Sequence, residues 1–376
     1  MLQSIPMVNL QAQYLRFKSE LDEAVIQTMA KADYIQGNNV RQFENELAEM
    51  LNVKHVISCA NGTDALQIAL MALDLKPGDE VITPSFTYIA TTEVIALLGL
   101  VPVFVDVLPD TFCIDPSKIE EAITPKTKVI VPVHLYGQCA DMDNILTIAK
   151  KHNLAVVEDT AQAIGAEYIH KDGSVSKAGT MGDIGCTSFF PSKNLGCFGD
   201  GGAMYTNSDD LASKMQMIAN HGQSVQYYHD SIGVNSRLDS MQAAILRIKL
   251  RHLDSYAAAR NKAADYYDKA FAGHPKLKTP KRAKNTNHVF HQYTLQLIGA
   301  DRMALKEFLA SKEIPMMIYY PVPLHLQKAY LDPRYKQGDF PVTEQLCSCV
   351  FSLPMHTELD EETLKYITDS VKEFLK

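Results

Sequence analysis

Apolar runs alternate with amphipathic stretches over residues 53–207. Short β-branched runs predict strands, and apolar positions spaced by three or four residues predict helices between them. The predicted strands are 53–58, 80–83, 101–107, 129–133 and 155–157, and the predicted helices are 63–73, 87–98 and 141–151. This alternation indicates an α/β fold with a mostly parallel sheet that helices cover on both faces.

The pattern changes after residue 207. Residues 208–272 are predicted to be mostly helical, and the basic, proline-containing stretch 274–287 to be an exposed loop. A strand over 288–298 and helices over 302–312 and 360–376 follow. We therefore predict a large domain with an N-terminal arm over residues 1–254 and a smaller C-terminal α/β domain over residues 255–376.

Composition and charge favour an ordinary globular protein. The 376 residues carry a net charge of −8, with 46% hydrophobic and 21% charged residues. We expect neither nucleic acid nor an anionic membrane surface as a partner, so local groups must hold any anionic ligand. The seven cysteines include no C-x-x-C pair, and Cys347-x-Cys349 is too tight for zinc, which predicts reduced thiols and no metal site.

The chain also lacks obvious targeting segments. Its opening residues have no basic segment before an apolar stretch, so we expect no signal peptide. The longest apolar run, 94–105, contains Gly99 and Pro102 and is shorter than the ~20 residues of a membrane helix. A cytoplasmic location is the expectation.

Three segments carry candidate chemistry, and each follows a predicted strand. In 59–66, Gly62 and Thr63 lie where a helix begins, which suits a phosphate; a plain helix cap by Thr63 or Asp64 is the alternative. In 156–162, Glu158 and Asp159 end a buried strand, where a carboxylate needs a cation or a strong donor. Capping of a following helix is the alternative there.

The third segment, 188–202, contains a lysine among small residues. Burial would lower the pKa of Lys193, as a nucleophilic amine requires, and Ser188 and Ser192 can reach a phosphate. The glycines match neither a Walker loop nor a dinucleotide fingerprint, and an exposed loop lysine is the alternative. Two further polar loops, 233–239 and 319–325, can line a pocket or be ordinary loops.

Together these features meet the separate needs of pyridoxal 5′-phosphate (PLP). Its phosphate needs donors, its ring nitrogen an acid, its aldehyde a lysine, and its ring faces apolar cover. No single feature is specific, but their combination in this order is.

The chain resembles the DegT/DnrJ/EryC1/StrS sugar aminotransferases over nearly its full length. The resemblance is carried by Tyr34-Ile-Gln-Gly37, Asn61-Gly-Thr-Asp-Ala-Leu66, Glu158-Asp-Thr-Ala-Gln162, Ser188-Phe-Phe-Pro-Ser-Lys193, Gly199-Asp-Gly-Gly202 and Gly233-x-Asn235-x-Arg237-Leu238. It implies a PLP-dependent transferase of fold type I and a homodimer whose active sites are shared between the subunits.

The resemblance also implies residue roles. Lys193 would attach to the cofactor aldehyde and later move protons, and Asp159 would pair with the ring nitrogen. The other implied cofactor residues are Gly62, Thr63, Tyr88, Gln162, Ser188 and, from the other subunit, Asn235. The implied substrate residues are His221, His229, Arg237, Tyr319, Tyr320 and His325.

Within the family the likeness is greatest to enzymes that use L-glutamate to aminate C3 of UDP-2-acetamido-2-deoxy-3-oxo-D-glucuronate, a reaction of lipopolysaccharide O-antigen biosynthesis. Two positions depart from those enzymes, because Asn220 stands where they carry arginine and Tyr319 where they carry histidine. Loss of a cation weakens recognition of a uronate carboxylate. A dTDP-linked 3-keto-6-deoxyhexose is the alternative substrate.

Two other functions remain as alternatives. Sugar dehydratases of the family carry histidine at the lysine position, which Lys193 argues against. A non-catalytic regulator with this fold would not need Lys193, Asp159 and Gln162 together.

Overall fold

The computed structural model describes residues 5–376, whose strands form a seven-stranded sheet, a three-stranded sheet and two two-stranded sheets. The strands are β1 (His55–Cys59), β2 (Glu80–Pro84), β3 (Val101–Val105), β4 (Thr127–Ile130), β5 (Ala155–Asp159), β6 (Glu167–Ile169), β7 (Val175–Lys177), β8 (Ile184–Ser188), β9 (Gly202–Thr206), β10 (Gln223–Val225), β11 (Tyr228–His229), β12 (Leu277–Lys278), β13 (Tyr293–Leu297) and β14 (Val350–Leu353).

The helices are α1 (Leu10–Arg16), α2 (Lys18–Ala30), α3 (Asn38–Leu51), α4 (Gly62–Ala72), α5 (Ala90–Leu97), α6 (Ile119–Ala122), α7 (Met142–His152), α8 (Asp209–Ala219), α9 (Ser240–Leu250), α10 (Leu253–Phe271), α11 (Arg302–Ser311), α12 (Pro341–Cys349) and α13 (Glu361–Leu375). None of these helices in residues 5–376 is long and apolar enough to cross a membrane.

The large sheet has seven strands in the order β1-β9-β8-β5-β4-β2-β3. Only β9 runs antiparallel to its neighbours, so the prediction of a mostly parallel sheet is confirmed. Consecutive residues of its strands are buried in different clusters on opposite faces. Val81, Val129 and Val157 belong to one cluster, and Ile82, Ile130 and Val156 to the other. Burial on both faces explains why these strands read as continuous apolar runs rather than as alternating ones.

The smaller sheet, β12-β13-β14, is antiparallel and packs with α10, α11 and α13. Helix α10 contributes to two cores, because Leu253 packs with α3 and α9 while Tyr267 and Phe271 pack on the smaller sheet. The chain therefore passes between the two cores within this helix. A domain boundary at residues 254/255 stays a prediction.

Two predicted elements differ from the structure. The helical prediction for 208–272 fails over residues 220–239, which form the β10–β11 hairpin and its flanking loops. Gly222 has φ +68°, and a side chain on Gly233 would meet the Gly222 nitrogen at 2.1 Å, so a helix cannot continue there. The strand predicted over 288–298 is formed only by 293–297, since residues 288–292 turn away to contact the large sheet's edge.

A buried carboxylate fixes the end of β5. Glu158 and His134 are both fully buried, and His134 Nε2 lies 2.8 Å from a Glu158 oxygen. Because the Ala140 N–H donates to His134 Nδ1 (3.0 Å), the ring proton is on Nε2 and points to Glu158. The carboxylate also accepts three backbone N–H bonds of 2.6–2.8 Å, from Gly179, Met181 and Gly182. These bonds tie the loop before β8 to β5.

We predict that Glu158→Gln lowers the free energy of unfolding by about 3 kcal/mol, because the amide NH₂ replaces an acceptor facing buried donors. Urea unfolding followed by circular dichroism measures the loss. The matched control is Glu167→Gln, which removes a partly exposed ion pair with Lys177 and should cost less than about 1 kcal/mol. Equal losses for the two variants would contradict this account.

Candidate active site

The candidate residues gather at the carboxyl edge of the large sheet. Asp159 ends β5, Ser188 ends β8, and the turn at Gly62 follows β1. Ligands of α/β sheets bind at this edge, because parallel strands deliver the loops that follow them to one place.

The start of α4 forms a tight cradle. A Cβ on Gly62 would lie 2.6 Å from Ser188 Cβ, and one on Gly202 would lie 2.4 Å from the Asn61 carbonyl oxygen. Only glycine permits these close approaches. The first N–H groups of a helix lack partners within it and favour an anion. The predicted alternative, a cap by Thr63 or Asp64, is wrong, because Asn61 Oδ1 accepts from the Asp64 N–H (2.8 Å).

Asp159 is the acid that faces the site. Strand alternation sends Glu158 into its buried network and leaves the Asp159 carboxylate on the other side of β5. It accepts from Thr91 Oγ1 (2.8 Å) and from the Ala161 N–H (3.1 Å). A turn rather than a helix follows, so the capping alternative is wrong here too. Thr91 was missed by the sequence analysis, because a threonine near the start of a helix has no distinguishing signal.

Lys193 lies in the turn that follows β8. Its backbone N–H donates to the Phe190 carbonyl (2.8 Å), and its side chain is only partly accessible. Burial lowers the pKa of Lys193 to about 8, while the Asp159 carboxylate acts in the opposite direction. At pH 7.5 about a quarter of such amines are neutral, against about 0.1% for a lysine of ordinary pKa. The structure thus pairs a reactive amine with an acid.

Gln162 connects the site to two aromatic side chains. Its Oε1 accepts from the Tyr136 N–H (2.7 Å), and its Nε2 donates to the Tyr320 hydroxyl (3.1 Å). The Tyr88 and Tyr320 rings lie 6.0 Å apart. Tyr319 is adjacent, and its carbonyl accepts from the Tyr136 hydroxyl. These residues provide a polar edge and aromatic faces beside Asp159.

Other predicted site residues lie apart from Lys193 in the single chain. His221, His229 and Asn235 are exposed on and beside the β10–β11 hairpin, and Arg237 borders a separate cavity of about 240 Å³. Segment 235–237 is nevertheless tied to the cradle, since Ser236 Oγ donates to Asp64 (2.6 Å) and accepts from the Ala60 N–H (2.9 Å).

His325 is fully buried near the end of β2, since the N–H of its neighbour Leu324 donates to the carbonyl of Ser85, the residue after β2 (3.1 Å). Its ring packs on Phe340, and its Nε2 lies 3.2 Å from Glu344.

Comparison with known proteins identifies the family. Residues 16–372 match the DegT/DnrJ/EryC1/StrS aminotransferase family. The chain belongs to this family. The prediction of an α/β, PLP-dependent sugar aminotransferase is thereby confirmed, and the dehydratase and regulator alternatives are set aside.

Three relatives of nearly equal length show the range of assigned activities. The chain is 46% identical to a pleiotropic regulatory protein of Geobacillus stearothermophilus over 99% of both chains. It is 45% identical to a UDP-2-acetamido-2-deoxy-3-oxo-D-glucuronate aminotransferase of Pseudomonas aeruginosa, over 96% of this chain and 98% of the relative. It is also 45% identical to a UDP-N-acetyl-3-dehydro-α-D-glucosamine 3-aminotransferase of Acidithiobacillus ferrooxidans, over 99% and 98%.

Solved structures agree with the fold and the cofactor. DesV from Streptomyces venezuelae superposes with a TM-score of 0.95 and 39% identity, covering 100% of this chain and 99% of that one. NtdA from Bacillus subtilis, with bound cofactor PMP, gives 0.90 and 31% over 99% of this chain and 85% of that one. The family enzyme uses PLP, as predicted.

The residues described above fit PLP. The N–H groups at the start of α4, where Gly62 and Gly202 permit close approach of the chain, suit a phosphate, Asp159 offers an acid, and Lys193 offers an amine of lowered pKa. When bound, this cofactor supplies an aldehyde that accepts amines and a ring that withdraws electrons.

We predict that Lys193 in the cofactor-free, full-length protein titrates with a midpoint near pH 8. Burial disfavours its charged form, so its reactivity should rise through that pH instead of near 10.5. Acetylation with acetic anhydride across a pH series, with peptide mass spectrometry, measures this. Exposed Lys150 is the internal control for labelling. Coincident curves for the two lysines would contradict the lowered pKa.

Proposed function

We propose that this protein transfers the amino group of L-glutamate to C3 of UDP-2-acetamido-2-deoxy-3-oxo-D-glucuronate, in the cytoplasm, for lipopolysaccharide O-antigen biosynthesis. The observation that carries the catalytic part is the pairing of a Lys193 amine of lowered pKa with the buried Asp159 carboxylate. The relative from Pseudomonas aeruginosa supports the sugar.

Lys193 acts in this proposal as nucleophile and as proton carrier. Its neutral amine would hold the cofactor through the aldehyde and, once freed by the donor amine, would take a proton from the donor's α-carbon. Asp159 would keep the ring nitrogen protonated, with Thr91 fixing the orientation of the carboxylate. In the second half of the reaction Lys193 would deliver a proton to the sugar carbon that receives the amine.

The remaining cofactor residues hold the group in place. Gly62, Thr63 and Ser188 bind the phosphate at the start of α4, where the helix dipole favours an anion. Tyr88 would cover one ring face, and Gln162, whose amide is fixed between Tyr136 and Tyr320, would contact the ring substituents.

A homodimer completes the proposed site. The β10–β11 hairpin exposes a run of large apolar side chains, including Tyr227 (80%), Tyr228 (69%) and Ile232 (87%). A surface of this kind is typical of a protein interface. Tyr88 and Phe190, beside the cofactor residues, are also half-exposed in the single chain. We infer that the hairpin covers this region of the other subunit and brings its Asn235 to the phosphate.

The substrate side of the site would then combine both subunits. Tyr319 and Tyr320 of one chain face the sugar, with His221, His229 and Arg237 from the other. We do not place His325 against the substrate, because its ring lies between Phe340 and Glu344. Arg237 or His229 would pair with a uronate carboxylate.

A second candidate is UDP-N-acetyl-3-dehydroglucosamine, whose C6 group is neutral. The side chains with a ring or hydrogen-bond contact to Tyr320 carry no positive charge; they are Phe86, Tyr88, Gln162 and Tyr319. Asn220 and Tyr319 also replace the cations expected of uronate enzymes. The relative from Acidithiobacillus ferrooxidans has this substrate.

A panel of keto sugars tests the function. With L-glutamate, we expect kcat/KM for the two UDP-linked 2-acetamido-3-oxo sugars to exceed that for a dTDP-linked 3-keto-6-deoxyhexose by at least about tenfold. Lys193→Ala should abolish turnover, and Lys150→Ala on the surface should not. If the parent enzyme has the higher kcat/KM with the uronate and Arg237→Met abolishes this preference, the first candidate is supported. A higher kcat/KM with the neutral sugar supports the second. No turnover with any sugar would contradict the proposal.

Subunit complementation tests the shared sites. Lys193→Ala and Asn235→Asp chains should each be inactive, the second because its charge repels the phosphate. Heterodimers purified through two different tags should regain about half of the parent activity, since one of two sites is intact. The control pair, Lys193→Ala with Asp159→Asn, damages both sites and should regain nothing. Equal outcomes for the two pairs would contradict a site built from both subunits.

A further inference from the structure

The turn that carries Lys193 is a closed loop. It follows the end of β8, and the Cys197 N–H donates back to the Phe189 carbonyl (2.8 Å), which joins the two ends of the loop. A lysine side chain is flexible, so its amine can be held in one place only if the backbone that carries it keeps its shape. The groups that fix residues 189–197 therefore affect the position of the amine.

Gly196 packs against the first part of this loop. A Cβ at position 196 would lie 2.3 Å from the Pro191 carbonyl oxygen and 2.8 Å from that of Phe190. The Phe190 carbonyl also accepts from the Lys193 N–H (2.8 Å). A displacement of Gly196 is thus transmitted to the backbone of Lys193 across one close contact.

One face of α9 holds the end of the loop. Gln242 Oε1 accepts from the Phe198 N–H (2.8 Å), and Lys249 Nζ donates to the Gly196 carbonyl oxygen. Gln242 and Lys249 are seven residues apart, which places them on the same side of the helix. The Lys249 amine also lies 5.3 Å from the centroid of the Phe198 ring, a distance at which a ring attracts a cation.

Lys249 is a costly residue at this position. Its side chain is 1% exposed, and in residues 5–376 it forms no ion pair with a carboxylate. Burial lowers the pKa of Lys249 to about 8. Lysine is rarely buried without an anionic partner, because its amine loses hydration. An apolar side chain would fill the same space at lower cost, so the bond to Gly196 is what distinguishes a lysine here.

We propose that Lys249 is a positioning residue for Lys193, which it holds in place through the Gly196 carbonyl. The proposal rests on the role of Lys193 given above. An amine that moves protons must stay within hydrogen-bond reach of the reacting atoms, and small displacements slow the transfer. The bond from α9 limits such displacements, because this helix lies in the same buried core as Phe189.

Two substitutions at position 249 test this. Lys249→Met removes the donor at similar length, and Lys249→Arg keeps a charged donor. In the cofactor-free protein we expect the amides of residues 190–198 to exchange with deuterium at least about tenfold faster in the Met variant, because the loop opens more readily. We also expect the Lys193 midpoint, measured by acetylation, to rise by about one pH unit, because a looser loop admits water to the amine. The Arg variant should lie closer to the parent in both measurements.

The holoenzyme separates positioning from a purely structural role. The Met variant should lose about tenfold in kcat while KM for either substrate changes by less than about twofold, because the substrate contacts are untouched. The Arg variant should recover most of this loss. A residue that only stabilised the fold would leave both kcat and the Lys193 midpoint of the folded protein unchanged.

The matched control is Lys276→Met. Lys276 also donates its amine to a backbone carbonyl, that of Leu375 (2.9 Å), but it lies next to β12. Its loss should leave the exchange of residues 190–198, the Lys193 midpoint and kcat unchanged. If the Lys249→Met protein does not fold, Lys249→Gln replaces it in the comparison, since its amide ends one atom short of the lysine amine.

Unchanged exchange, an unchanged Lys193 midpoint or an unchanged kcat in Lys249→Met would overturn the proposal, and so would an Arg variant no better than the Met variant. Failure of the proposed function is a different result. It would appear in the parent protein as borohydride reduction that attaches PLP to a lysine other than Lys193.

Discussion

The amine of Lys193 and the carboxylate of Asp159 impose the main constraint on this structure. A lysine must lose much of its hydration to become a nucleophile near neutral pH, and burial of Lys193 achieves this. A nearby carboxylate works against it by favouring the charged form. The two groups must therefore be close enough to serve one cofactor, while burial still dominates the pKa of the lysine. The ends of β5 and β8 meet this requirement, because adjacent parallel strands fix the separation of the residues that follow them.

The neighbouring Glu158 shows how the sheet sorts two similar acids. Successive strand residues point to opposite faces, so Glu158 enters a site with four donors while Asp159 faces the carboxyl edge. One acid holds the backbone in place and the other remains for chemistry. The sequence pair Glu-Asp does not by itself reveal which is which; strand register decides it.

Much of the fold and part of the site could be predicted from the sequence. The parallel strands were visible because burial on both faces requires continuous apolar runs, and the Gly62 turn because a strand, a glycine and an amphipathic helix follow in order. The hairpin over 223–229 was missed because the exposed apolar side chains of Tyr227, Tyr228 and, in the loop that follows, Ile232 match neither the helical nor the strand period. The contacts of His325 could not be predicted, because its neighbours Phe340 and Glu344 come from a later segment that local pattern cannot place.

In the proposed homodimer, specificity for the sugar would depend largely on residues that come from different subunits. In a single chain the side chains that contact Tyr320 carry no positive charge, whereas Arg237 and His229 lie on or beside an exposed hairpin. The position of a cation that the other subunit supplies depends on how the two subunits pack together, whereas a cation on the same chain is positioned by that chain's own fold. The backbone of Asn220 pairs with that of Asn235, so the side chain at position 220 affects the charge beside the segment that carries Arg237. Relatives at equal identity can therefore differ in substrate through a few hairpin residues while the Lys193 and Asp159 arrangement stays the same.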